Sequence, residues 1–239
     1  MKVNPLQARR FAQAIGTRVK TDAVDARMLA SFGNALNLEP DLPLDDKQYE
    51  LKELFSSRGG LIKDRTRLIN RLKTQTLALV VRQTKARIDQ ITRQLKVLQQ
   101  DINARVKDCP NRARANTILR SIPGIGEVAA ATILIEMPEI GTLHKKGAAS
   151  LTGLAPMTRQ SGKWTGKATI QGGRKQLRDA LYMPALVAAR HNPDMRKKYK
   201  KMIELGKPQK VALTAIMRKL IELANALVKA DREWVQNGT

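Results

Sequence analysis

The stretch ILRSIPGIGEVAAATILIE, Ile118 to Glu136, decides how this chain folds. Its middle, Ile122-Pro123-Gly124-Ile125-Gly126, cannot continue a helix, because proline lacks the donor and two glycines favour a tight turn. Beyond it, Ala129, Ala130, Ala131 and Ile133 fall at helical spacing. The pattern predicts a helix-hairpin-helix. Backbone N–H groups at Gly124 and Gly126, where the second helix begins, are then available to a nucleic-acid phosphate. A plain helical corner without a ligand would give the same pattern. A contact of this kind grips backbone, so any reading of base sequence must come from elsewhere.

Downstream, GLAPMTRQSGKWTGKATIQGGRKQLRDAL runs from Gly153 to Leu181 and contains no acid before Asp179. Ser161 lies there among Arg159, Lys163 and Lys167, followed by Gly172-Gly173-Arg174-Lys175 and Arg178. A hydroxyl among fixed cations and flexible backbone suits attack on a phosphodiester, since cations neutralise charge building on the phosphoryl oxygens. A basic phosphate-gripping loop, with Ser161 as one more donor, is the other reading. Further on, Leu177 to Arg190 reads as a helix that Pro184 must kink or restart, and His191-Asn192-Pro193 ends it. The cluster Arg196-Lys197-Lys198-Tyr199-Lys200-Lys201 reads as phosphate-binding or as a solvated face. Leu213, Ile216, Leu220, Leu223 and Leu227 form the stripe of a final packed helix.

Upstream, Leu77, Val81, Thr84, Ile88, Ile91, Leu95, Leu98 and Ile102 alternate by four and three, a coiled-coil seam. Leu61, Leu68, Leu72 and Leu79 form a second stripe in shifted phase, and Gly59-Gly60 is expected to interrupt the helix before it. From Leu61 to Lys107 there are twelve Lys or Arg and three Asp, a balance that points to a phosphate-tracking face. The seam favours a homo-oligomer, although an antiparallel pair within one chain also satisfies it. Ahead of a Pro-punctuated linker, Asn37 to Pro43, Leu6 to Ile15 reads as a short helix. A second helix starts at Thr21, an N-cap residue. Asp22 and Asp25, three apart, project from one face of its first turn. They can complement the helix dipole or hold a divalent metal through hard oxygens.

Composition narrows the partner. Forty-four Lys and Arg against twenty-one Asp and Glu leave a formal charge of +23, a field that attracts polyanions and makes binding steeply salt-dependent. Aromatics are only 3%, which argues against base-stacking platforms. One cysteine and two distant histidines, His144 and His191, exclude a disulfide framework and disfavour a zinc cluster. No signal-peptide pattern or membrane-spanning run is present, so a soluble, cytoplasmic, nucleoid-associated protein is expected.

The succession KTDAVDARMLA, basic coiled coil, SIPGIGEVAAATILIE, GLAPMTRQSGK, GGRKQLRDAL and HNP resembles the IS110/IS116/IS902 family of insertion-sequence transposases over nearly the whole chain. The resemblance implies a mainly α chain in three parts. Residues 1–43 would be the C-terminal remnant of an α/β RuvC-like domain plus linker, 44–109 a coiled-coil region, and 110–239 a serine-containing transposase domain with the helix-hairpin-helix. It implies that Asp22 and Asp25 match the last two acids of a four-acid site and ligate Mg²⁺, and that Ser161 is the nucleophile forming a covalent link to DNA. Lys163, Lys167, Arg174, Lys175 and Arg178 would line the DNA or RNA path, with a structured guide RNA as partner. The first Asp and the Glu of that site would lie ahead of Met1, so a truncated transposase, inactive alone, is expected. A complete, non-catalytic helical nucleic-acid-binding protein is the alternative.

Overall fold

A computed structural model describes residues 3–17, 19, 21–38, 45–158, 160–161, 164–166 and 168–236. Arg159, Lys163, Lys167 and most of the Asn37–Pro43 linker lie outside them. The chain divides into two compact units, Met1–Asp45 and Asp46–Thr239.

In the first unit, α1 (Pro5–Ala14) starts where Asn4 Oδ1 accepts from the Leu6 N–H at 2.9 Å and Pro5 takes the first helical position. There the missing proline N–H removes a donor that would have no partner. Helix α2 (Asp22–Ala35) is capped by Thr21, whose Oγ1 accepts from the Val24 N–H at 3.3 Å. The two helices meet through Phe11 and Phe32, edge to face with ring centroids 5.2 Å apart, a contact worth roughly 0.5–1.5 kcal/mol beyond burial. Ala8, Met28 and Phe32 are buried here. The segment expected to be the C-terminal remnant of an α/β domain forms these two helices, with no strand among its described residues.

The second unit begins with a helical hairpin, α3 (Asp46–Leu72) and α4 (Ala78–Lys107). The expected break at Gly59-Gly60 is absent: α3 runs through both. Two glycines cost a helix about 1 kcal/mol each against alanine, and packing along α4 offsets that. The break falls instead at 73–77, so the upstream stripe spans two helices, Leu61, Leu68 and Leu72 on α3 and Leu79 on α4. Thus α3 packs along the seam, the antiparallel pair within one chain that the pattern also allowed, and leaves Val81, Ile88, Ile91, Leu95 and Leu98 half-buried. At its base Leu51, Ile102 and Val106 are buried in the central core. Arg105 crosses from α4 to Glu50 of α3 and also holds Asp101 at 3.1 Å. Toward the tip the apolar positions are half-buried or exposed, with Ile69 42% and Leu79 56% accessible.

The core forms around α6 (Glu127–Glu136), which follows α5 (Pro110–Ser121). Every residue from Ala129 to Ile135 is buried, as befits a helix apolar all round. Then come α7 (Lys145–Leu151), a short β1 (Gln160–Ser161) and β2 (Trp164–Thr165), α8 (Lys175–Ala180), α9 (Tyr182–His191), α10 (Pro193–Glu204) and α11 (Gln209–Lys229). The restart expected of Pro184 falls at Leu181, between α8 and α9. Asn192 ends α9 and caps α10, its Oδ1 accepting from the Met195 N–H at 3.2 Å. Helix α11 buries Leu213, Ile216, Leu220 and Leu227 against α9, α7, α10 and α5. From it, buried Asn225 fastens the preceding loop, accepting from Gly141 N–H at 2.9 Å and donating to Leu143 O at 2.8 Å.

Candidate nucleic-acid interface and serine ribbon

The α5–α6 turn forms where the sequence requires it. Ile122 and Ile125 are buried, and the Ile125 N–H donates to Ile122 O at 2.9 Å. The two glycines then differ. Gly124 has φ +110°, and a methyl group there would lie 2.7 Å from Pro184 O and 2.8 Å from Ala188 Cβ. It is glycine because α9 packs directly on it. Gly126 has φ −86°, is the N-cap of α6, and faces open space. No side chain caps that helix start, so its first N–H groups keep their capacity for an outside acceptor. Glu127 stands in the first turn, 4.0 Å from Arg120.

Ser161 lies in an antiparallel ribbon. β1 and β2 pair Ser161 with Trp164 and Gln160 with Thr165, and a bridge joins Met157 to Thr169. The Met157 N–H donates to Thr169 O at 2.8 Å, and the Thr169 N–H returns to Met157 O at 3.1 Å. Met157, Thr158, Ala168 and Thr169 are exposed, whereas Leu154 just before the ribbon is buried. The two legs cross at its root. A methyl at Gly153 would sit 2.1 Å from Gly172 O, and one at Gly173 would sit 2.1 Å from Gly153 N. Both have φ near +65°, so glycine alone allows this crossing.

The cations after the ribbon divide by role. Arg174 donates from Nη1 to Glu136 O at 2.6 Å and grips Glu139 with both terminal nitrogens, at 2.8 and 2.6 Å. This pair holds the Glu139 carboxyl below the usual carboxylate range, chiefly through the Arg174 hydrogen bond. Burial pushes neighbouring Glu136 the other way, against the opposing charges of Lys52 and Arg174. Arg178 Nη1 donates to Gly172 O at 2.6 Å and more weakly to Thr152 O at 3.4 Å, bracing the crossing. Both guanidiniums are therefore held by the protein itself. Lys175 pairs with Asp179 on the exposed face of α8.

In the first unit Asp22 is exposed and Asp25 half-buried on the first turn of α2. A hard divalent cation takes about six oxygens. Among the described residues no group of three or more His, Cys, Asp or Glu side chains could hold a metal. The pair fits the chemistry of such a cation without completing its shell, so no metal-dependent step is derived from it.

Comparison with known proteins now bears on these features. A family model described as DEDD transposase of the IS110 type matches residues 1–81, and one described as transposase IS116/IS110/IS902 family matches residues 116–200. The chain is 32% identical to the pilin gene-inverting protein of Moraxella bovis over 241 positions, covering 97% of this chain and 73% of that protein. The chain belongs to the IS110/IS116/IS902 family of transposases. The counterpart from Moraxella lacunata matches equally, at 32% over 97% of this chain. The insertion element IS110 uncharacterized 43.6 kDa protein of Streptomyces coelicolor is 30% identical over 159 residues, 65% of this chain and 38% of its own length.

In this IS110-family chain, sequence reasoning placed the turn and the acid pair on the right elements, but it read the serine segment as a loop, where Ser161 lies in the β1–β2 ribbon. It missed Glu139 and Glu136, which hold Arg174 across 35 and 38 positions. One signal was available, in that these are isolated acids in a stretch otherwise poor in them. It also missed Gln48, whose Nε2 donates to Ile135 O at 3.0 Å. Among the described residues no helix is long and apolar enough to cross a membrane.

Proposed function

We propose that this chain cuts and rejoins DNA for an insertion sequence, with Ser161 as nucleophile. In this reading the Ser161 hydroxyl attacks a backbone phosphorus and gives up its proton as the phosphorus–oxygen bond to one deoxyribose breaks. That deoxyribose leaves as a free hydroxyl and the phosphate stays on serine as a diester. A deoxyribose hydroxyl from another strand then attacks the same phosphorus and releases Ser161, so no bond energy is lost. The observation that carries the reading is a serine in a β-ribbon whose flanking residues Met157, Thr158, Ala168 and Thr169 are exposed and whose root is braced by Arg178, in a chain of the transposase family.

Around it, Arg159, Lys163, Lys167 and Lys175 are the cations proposed to meet DNA phosphates, while Arg174 and Arg178 support the ribbon from within. The α6 start at Gly126 is proposed as a backbone grip, with Gly124 shaping the turn. Asp22 and Asp25 are proposed as two of the oxygen ligands of Mg²⁺, an ion that neutralises charge on phosphoryl oxygens when bound. Contacts of this backbone type carry no sequence choice; the family resemblance implies that a structured guide RNA of the element supplies it. The exposed outer edge of the α3–α4 hairpin is where copies of the chain would associate.

The test is recombination of the element in cells, where whatever the chain works with is present, alongside DNA binding by the purified protein. Ser161→Ala should abolish recombination and leave binding within a few-fold, about the worth of one hydrogen bond. Recombination that survives Ser161→Ala would sink the nucleophile and favour a non-catalytic DNA-binding protein.

A further inference from the structure

Helix α6 connects two features that the chain keeps far apart in sequence. Its first residues form the open start at Gly126, and ten residues later, about 15 Å along the axis, its last carbonyl is held by Arg174. The final carbonyls of a helix have no partners within it. Here the Met137 N–H takes Ile133 O at 2.8 Å, Gln48 takes Ile135 O at 3.0 Å, and Arg174 takes Glu136 O at 2.6 Å. A cation at that end also complements the helix dipole. Arg174 is at once the N-cap residue of α8 and the residue directly after the Gly172-Gly173 leg of the ribbon, and its own N–H donates to Leu151 O at 2.7 Å. One side chain therefore fixes the ribbon root to the end of the core helix. Glu139 locks that side chain's orientation by taking both guanidinium nitrogens, a planar two-point grip that lysine cannot reproduce.

We propose that Arg174 and Glu139 form a latch that sets the position of the serine ribbon relative to the α5–α6 turn, making both positioning residues for strand exchange. A helix is stiff over this length, so the latch fixes how far Ser161's ribbon root stands from a phosphate gripped at Gly126. The inference rests on Ser161 being the reacting residue.

Two variants test it, Glu139→Gln and Arg174→Lys, each in the full chain. Site-resolved amide exchange reads the latch without any activity. The Met157 and Thr169 amides should exchange about tenfold faster or more, the factor expected for a lost hydrogen bond to a charged group. Buried amides of α11 should keep their rates. In cells, recombination should fall by a similar factor in both variants while the purified proteins bind DNA as before. Growth at lower temperature should not restore it, whereas a merely destabilised chain would recover. Unchanged ribbon exchange in both variants overturns the latch. Faster ribbon exchange with full recombination, or recovery in the cold, overturns its positioning role and leaves the Ser161 reading standing. Failure of the Ser161 reading shows separately, as recombination that survives Ser161→Ala.

Discussion

Gly124 and Gly126 are two residues apart and look alike in sequence, yet the structure gives them opposite jobs, and alanine at each separates them. At Gly124 the added methyl meets Pro184 O at 2.7 Å, Ala188 Cβ at 2.8 Å and Ala188 N at 2.9 Å, on a backbone with φ +110°. Two of those three atoms are backbone of α9, which cannot rotate away. Holding a non-glycine residue in that backbone region costs about 1–3 kcal/mol, and forcing extra volume into a packed contact costs roughly 1–3 kcal/mol more. Together Gly124→Ala should cost about 2–6 kcal/mol, which lowers Tm by roughly 4–24 °C in a unit of this size. At Gly126, with φ −86° and open space in front, only a weaker N-cap preference is lost, on the order of 0.5–1 kcal/mol. There the methyl stands where a phosphate would approach. Thermal unfolding followed by circular dichroism, with DNA gel shifts on the folded proteins, reads both effects. Gly124→Ala should melt early and bind DNA normally when folded; Gly126→Ala should melt near wild type and bind more weakly. A Gly124→Ala protein as stable as wild type would refute the packing argument. Undiminished binding by Gly126→Ala would remove the turn from the interface.

Helix α10 exposes Arg196, Lys197, Lys200 and Lys201 on one face, with Met195 buried and Tyr199 half-buried beneath. Like charges four apart weaken a helix, so this face is expected to serve a polyanion. Changing all four to Gln should reduce the slope of log affinity against log salt by up to about 3.6 for duplex DNA; an unchanged slope between low and moderate salt would exclude the face. The Glu139 carboxyl, held low by Arg174, contributes stability that is full above its unfolded pKa and is lost as pH falls through the lowered folded value. Glu136, raised by burial, works in the opposite direction, since protonation relieves its buried charge. The stability gap between wild type and Glu139→Gln should accordingly be widest near neutral pH and close below the ordinary carboxylate range. A gap that stays constant in melts taken from pH 7 to pH 3 would show that the pair is not the cause.

How much of this was legible in the sequence depends on whether the deciding interaction is local. Thr21 caps its helix as expected, because capping needs only the next two or three residues, and the α11 stripe follows from helical period alone; Asn4 and Asn192 cap theirs by the same local bond, which went unread. Gly59-Gly60 misled for the converse reason: their local preference is real, but α4 lies along α3 and outweighs it. The seam showed that α4 needs an apolar partner; it was read as favouring a second copy, whereas the preceding helix α3 packs along it. Charge was the least legible property. Arg174 and Lys175 are adjacent and equally cationic, yet one closes on Glu139 and the end of α6 while the other pairs on an exposed helix face. In a chain with forty-four cations and twenty-one acids, half-buried acids such as Glu139 hold some of the cations proposed for DNA. In the proposed reading the phosphate-facing surface is defined by subtraction, acid by acid, and Arg174, closed on Glu139, supports the ribbon instead. If that subtraction is right, Arg174→Lys should disturb the ribbon amides far more than the salt dependence of DNA binding, and Lys175→Gln should do the reverse.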